Sequence, residues 1–226
     1  KPQDLAIQAA MPAGLLSFAL VCLFTAIAGY SSTFVSQYHG AKEEANSVHA
    51  AAQGLSFMLL STPGLLLMIP LGSRMFAWFG HAPDLVAQEI VYFEWMIYGA
   101  LPMGLNWTLA GYFTGRGKVH LATAANIVGC VANVALDYAM IFGRFGFPEM
   151  GLRGAAVATC ASSALTTAIL LVAMLRSAPV LALGLRRAFV FQRDLMRRLL
   201  YFGYPAGVQI LLDVGAFSVF VLMTAR

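Results

Sequence analysis

The sequence predicts an all-α integral membrane protein, a multi-pass helical bundle. Composition is the first observation: 60% of residues are hydrophobic, 11% are charged and the mean hydropathy is +0.76, where a soluble domain carries roughly 25% charged residues. That is too little charge to coat a globule in water. Six continuous apolar runs are the second observation, since a bilayer core about 30 Å thick takes roughly 20 apolar residues per helical span. Their continuity selects helices over barrel strands, which are about 10 residues long and alternate apolar with polar.

The runs are Met11 to Val35, Val48 to Leu71, Val91 to Phe113, Val119 to Ile141, Gly154 to Leu175 and Leu199 to Thr224. Residues 1 to 10 lack a basic region feeding a short apolar core, so a cleaved signal peptide is not predicted. Cys22, Cys130 and Cys160 all fall inside runs, are odd in number and form no CxxC pair. They read as packing residues rather than a disulfide or metal framework.

If all six runs span, residues 36–47, 114–118 and 176–198 share one face of the membrane. That face holds Lys42, Arg116, Lys118, Arg176, Arg186, Arg187, Arg193, Arg197 and Arg198, against Arg74, Arg144 and Arg153 on the other. The positive-inside rule makes the richer face cytoplasmic. The net charge of +4 therefore reads as topology and not as a nucleic-acid surface. Lys1 then lies outside, and the expectation is a fragment: at least one helix precedes residue 1 and the chain stops early at Arg226. The stretch from Arg176 to Arg198 is either an amphipathic helix on the membrane surface or a plain connection whose arginines fix topology. Either makes it a hinge between two bundles.

An ionisable residue inside a span costs on the order of 2.5–3.5 kcal/mol on insertion scales and needs a reason to be there. Asp137 in the fourth run and Asp213 near the centre of the sixth are the two such carboxylates; Glu94, His49 and His120 sit near span ends. Asn126, Asn133 and Asp137 are spaced by seven and four, which stacks them on one helix face. Asn133 and Asp137, about 6 Å apart along the axis, offer a carboxylate and an amide oxygen, donors suited to a hard cation or a proton. Alternatively, Asn133 bonds a neighbouring helix and Asp137 is a surface charge at the outer end. Gln209 lies one turn before Asp213 on the same face, and a desolvated carboxylate at that depth would load and release a proton.

Pro63, Pro102 and Pro205 interrupt their spans and can kink them. Gly111 with Gly115, Gly203 with Gly207, and Ala158 with Ser162 permit close helix packing. Gly115-Arg-Gly-Lys118 lacks the earlier glycine and the following Ser/Thr of a P-loop, so nothing points to a nucleotide-powered pump. The Asn106-Trp-Thr108 sequon is buried in a span. No Ser/His/Asp or metal-ligand cluster is evident, and an enzyme is not predicted.

The stretch from Gly115-Arg-Gly-Lys118 through Asn133-Val-Ala-Leu-Asp137, Ile141-Phe-Gly143 and Gly151-Leu-Arg-Gly-Ala-Ala-Val-Ala-Thr159 resembles the multidrug and toxic compound extrusion family. Ser36-Gln-Tyr-His-Gly-Ala41 and Pro205-Ala-Gly-Val-Gln209 also look like it. The resemblance implies twelve helices in two lobes, with this chain supplying the second to seventh. Residues 1–175 would then be N-lobe, 176–198 the inter-lobe linker and 199–226 the first C-lobe helix. It implies a monomeric plasma-membrane exporter of cationic, aromatic drugs, driven by antiport with H+ or Na+ and needing no other cofactor. In similar members, an Asn and an Asp matching Asn133 and Asp137, with a Thr matching Thr159, form an N-lobe ion or proton site, and the carboxylate of the seventh helix falls on Asp213, with Gln209 beside it. An acidic residue that members carry on the first helix lies outside this sequence.

A rival within the same superfamily is a flippase for lipid-linked oligosaccharides, whose cavity is usually cationic; here the buried charges are acidic. An intramembrane aspartyl protease would pair Asp137 with Asp213, but its Gly-x-Gly-Asp and Tyr-Asp settings are absent. A passive channel would show a repeated filter or charged ring, and none is seen. Drug contacts are expected at Asp213 and among Phe18, Tyr30, Trp107, Tyr138 and Phe217, which the sequence does not rank.

Overall fold

In a computed structural model, the chain is described at residues 2–78 and 82–224, with side chains at 9–76 and 82–216. Lys1, Arg226 and the side chain of Phe217 lie outside these. Among the described residues, ten helices run in order: α1 (Pro2–Gly29), α2 (Ser31–Gly40), α3 (Glu44–Trp78), α4 (Pro83–Tyr98), α5 (Ala100–Gly115), α6 (Val119–Ile141), α7 (Gly151–Leu175), α8 (Ala178–Leu183), α9 (Leu185–Ala188) and α10 (Arg193–Thr224). Five segments among the described residues are long and apolar enough to cross a bilayer: Ala9–Gly40, Glu44–Phe76, Val119–Ile141, Gly151–Leu175 and Arg193–Ala216.

The remaining predicted span, Val91 to Phe113, is instead two helices of 16 residues, α4 and α5, joined at Gly99. The joint combines Gly99, a poor helix former, with Pro102, which has no N–H to offer the Tyr98 carbonyl one turn back and crowds it with its ring. Two side chains of α7 bracket the joint. Cys160 Sγ donates to the Trp95 carbonyl at 3.0 Å and Thr167 Oγ1 to the Pro102 carbonyl at 2.7 Å. By contrast, α3 continues through Pro63 and Pro70, and α10 through Pro205. Proline alone therefore does not break these spans.

The bundle packs α6 on α7, α7 on α4 and α5, and α1 against α3, α4, α5 and α10. Small residues set these approaches. A Cβ on Gly203 would meet the Ile27 backbone at 3.1 Å, and one on Gly207 would meet Leu23 Cδ1 at 2.8 Å, where α10 crosses α1. At Gly111 and Gly115 it would meet Ser32 Cβ at 2.8 Å and Ser36 Oγ at 2.9 Å, where α5 meets α2. Ala158 and Ser162 are buried on α7, as the small-residue pattern predicts.

Two apolar clusters stack along the bundle. One joins Phe34, Val48, Leu109, Tyr112, Phe113, Leu170 and Met174 with Val180 and Ala188 of the connection. The other joins Val21, Met58, Leu65, Phe76, Phe93 and Ile97. Polar contacts tie together the end of α2, the start of α3 and the end of α5. Glu44 pairs with His39 Nδ1 at 2.7 Å and with Arg116 Nη1 at 2.6 Å, and the Arg116 guanidinium lies 5.1 Å from the Tyr112 ring centre. The Gly115–Lys118 stretch is a helix stop rather than a phosphate cradle: Gly117 takes φ +73°, where glycine is unstrained, and its N–H bonds the Thr114 carbonyl.

The α6–α7 contact supplies a test of this packing. A Cβ on Gly154 would sit 2.7 Å from the Met140 carbonyl oxygen, whereas nothing lies within 4 Å of one on Gly64. Overpacking a close contact costs ~1–3 kcal/mol. Gly154→Ala is expected to lower the unfolding midpoint of the purified protein in detergent by that equivalent, with Gly64→Ala at or above the parent value.

Candidate functional site

The polar stripe of α6 divides into two parts. Asn126 is fully engaged: its Nδ2 donates to the Ala122 carbonyl at 2.9 Å, and its Oδ1 accepts from Asn106 Nδ2 of α5 at 3.3 Å. Asn106, which sequence reasoning met only as part of a buried sequon, is therefore the partner that ties α5 to α6. The C-terminal part of the stripe differs. Asn133 Nδ2 and Asp137 Oδ1 are both buried, yet neither has a hydrogen-bond partner among the described residues.

This matters because a buried polar atom left unpaired costs roughly 1–3 kcal/mol, and more if charged. The two orphaned atoms sit one turn apart on one helix. A carboxylate oxygen without a donor is chemically fit to take a proton or a hard cation. Thr159, on the adjacent helix α7, donates its hydroxyl to the Ala155 carbonyl of its own helix at 3.0 Å. It therefore makes no hydrogen bond to Asp137 with that proton.

Tyr92 of α4, which the sequence did not single out, lies within electrostatic reach of both Asp137 and Cys160. Cys160 itself lines a cavity of about 230 Å³, with Ser17, Phe18, Thr25, Met96, Met103 and Thr159 among others. That lining is apolar with a few hydroxyls. A larger recess of about 630 Å³ lies where α1 and α2 meet α5, α6 and α10, and includes Tyr30, Thr33, Asn106, Trp107, Asn126 and Ile210. Of the aromatic residues named from sequence, Phe18 belongs to the smaller cavity and Tyr30 and Trp107 to the larger. Tyr138 is exposed beside Phe142 and Phe145.

Gln209 and Asp213 stand apart from this group. Both are exposed on α10, beside a shallow depression formed with Tyr204, Pro205, Val208 and Leu212 of the same helix. Because α10 packs chiefly on α1 and α3, Asp213 is not brought to Asp137. The geometry that an aspartyl protease needs is absent among the described residues. A further carboxylate that the sequence analysis does not single out, Glu89, is fully buried in α4, with 0% exposure. No alternation or motif marks it, only a helix start at Pro83 that lies earlier than the apolar run.

The MatE family model matches residues 5–139. The chain is 27% identical over 188 residues to a probable multidrug resistance protein NorM of Synechocystis sp., covering 82% of this chain and 41% of that protein. It is 27% identical over 200 residues to a probable multidrug resistance protein YoeA of Bacillus subtilis (87% and 43%). It is 25% identical over 217 residues to the multidrug resistance protein MdtK of Pectobacterium atrosepticum (94% and 46%). The chain thus spans less than half the length of the curated relatives it matches. In fold it is similar to a multidrug resistance MATE family transporter of the MOP superfamily in its inward-facing conformation, with a TM-score of 0.78 at 22% identity over 94% of this chain and 47% of that one. It is also similar to a MOP superfamily transporter from Pyrococcus furiosus whose binding pocket is described as reversed in polarity, with a TM-score of 0.73 at 20% identity, covering 92% and 45%. With a family match over more than half of its length, and with five segments among the described residues long and apolar enough to cross a bilayer, this chain belongs to the MatE family.

Proposed function

We propose that the protein to which this chain belongs is a secondary active exporter of cationic, aromatic drugs or toxins, working by antiport with H+ or Na+. The observation that carries this reading is the pair of buried, unpartnered atoms of Asn133 and Asp137 on one face of α6. A coupling ion or proton bound there satisfies the carboxylate that the protein leaves unpaired. Thr159 sits on the neighbouring helix and lines the 230 Å³ cavity, so ion and drug act on adjoining parts of the same bundle. That cavity, with Phe18, Met96 and Met103, suits an apolar body, and Asp213 is reserved for a contact made from α10.

Coupling follows if the ion binds the inward and outward states unequally. A tenfold difference in ion affinity between them is worth about 1.4 kcal/mol, enough to bias the exchange each time a proton or sodium ion enters or leaves. No nucleotide step is needed, and a single copy suffices because both elements lie within one bundle. The flippase alternative calls for a cationic cavity. Neither the 230 Å³ nor the 630 Å³ cavity has a Lys or Arg in its described lining, which weighs against that alternative.

Two measurements test this. In cells expressing the complete transporter, efflux of a fluorescent organic cation is expected to be sensitive to a gradient-collapsing ionophore. Asp137→Asn, matched for expression, should reduce it to the ionophore-treated level; retention of parental, ionophore-sensitive efflux by the variant would remove Asp137 from the mechanism. Stability separates the two parts of the stripe. Asn133→Leu removes an unpaired donor and should leave the unfolding midpoint of this chain unchanged or higher, whereas Asn126→Leu strands Asn106 and should cost ~1–3 kcal/mol.

A further inference from the structure

Gln53 is a glutamine inside the second span with 1% of its surface exposed, and its amide is used at both ends. Nε2 donates to the Val190 carbonyl at 3.0 Å, and Oε1 accepts from the Gln192 backbone N–H at 3.1 Å. These partners belong to the short segment between α9, which ends at Ala188, and α10, which begins at Arg193. Residues 190–192 have no helix of their own to absorb their backbone groups, so the side chain of α3 pairs with them as a neighbouring strand would. Ala50, Ala51 and Ala52 are buried at 1%, 0% and 0% exposure. Their small side chains let the connection come that close, and Val180 and Ala188 join the same apolar cluster.

The Gln192 carbonyl accepts the first hydrogen bond of α10, from Met196 N–H at 2.9 Å. The residue held by Gln53 is thus also the one from which α10 starts. We infer that Gln53 is the positioning residue of the connection: it clamps residues 190–192 to the α3 face of the first bundle, fixing the point from which α10 departs. Given the transport function proposed above, any movement of α10 relative to the first bundle is then confined to the α10 side of Gln192. A flexible tether over residues 176–192 would leave that pivot undefined, whereas a two-bond clamp defines it.

The test uses the complete transporter with Gln53→Met, which keeps the shape and removes both bonds, and Gln53→Glu, which keeps an acceptor but gains a donor for the Val190 carbonyl only when its carboxyl is protonated, the ionised form repelling that carbonyl and loosening the segment. Hydrogen exchange of the peptide containing Gln192 is the direct readout. Exchange there is expected to be about tenfold faster in Gln53→Met than in the parent, from the worth of the lost bonds, with peptides of α6 and α7 unchanged. In Gln53→Glu, protection relative to the parent at the same pH should return as pH falls, and maximal efflux relative to the parent should return in step; Gln53→Met should show neither recovery. Parental exchange at Gln192 in Gln53→Met would overturn the clamp. Faster exchange with parental efflux would overturn its positioning role. A parent protein without efflux would defeat the transport function, and the exchange comparison would still decide the clamp.

Discussion

In hydrocarbon there is no water to complete a hydrogen bond, so each polar group of a membrane-spanning chain finds a partner inside the protein or bears the cost. Most of this bundle follows from that constraint. The hydroxyls of Thr25, Thr62, Ser73, Thr108 and Thr166 return to carbonyls of their own helices. Asn126 pairs with Asn106 across two helices. Cys160 and Thr167 reach carbonyls on either side of the α4–α5 joint, and Gln53 completes the backbone of the connection. Some buried atoms nevertheless stay unpaired among the described residues, Ser31 Oγ, Ser47 Oγ, His49 Nδ1 and Asn106 Oδ1 among them; those of Asn133 and Asp137 are set apart by lying one turn apart on one helix, which is why the proposed ion site is put there.

Close approach of helices is the second requirement, because apolar surface gains nothing by exchanging lipid for protein. Glycines supply it where α10 crosses α1, where α5 meets α2 and where α6 meets α7. The same contacts position the chemistry. The α6–α7 approach brings Thr159 alongside the helix that carries Asp137, and Gly99 at the α4–α5 joint lines the 230 Å³ cavity together with Cys160 of α7. Structure and site therefore share their parts: the side chains that brace the joint are neighbours of those proposed to handle the ion.

Much of this was legible from the sequence, for identifiable reasons. Long apolar runs report the membrane directly, and α3, α6, α7 and α10 lie over their runs. The Asn133 to Asp137 stripe was visible because a spacing of four has one outcome on a helix. The split of α4 from α5 was not, since Pro63, Pro70 and Pro205 pass through continuous helices and the sequence does not distinguish Pro102 from them. Asn126 looked like a member of the ion stripe because its partner, Asn106, lies on another helix, and one chain read in one dimension hides such pairs. Gln53, Tyr92 and Glu89 were overlooked for the same reason. A lone polar residue in an apolar run gains meaning only from what the fold places opposite it, and for Gln53 that is backbone more than 130 residues away.

The account stands or falls on linkage between the α6 carboxylate and the exported compound. Binding of one ligand that alters the affinity for another is reciprocal and measurable at equilibrium. The measurement is the affinity of the purified complete transporter for a fluorescent organic cation across a range of pH and of sodium concentration, made on the parent and on Asp137→Asn. The account predicts an affinity that weakens in the parent as protons or sodium ions are added, and one that is flat in the variant. The same dependence in both proteins would place the coupling site elsewhere and contradict it.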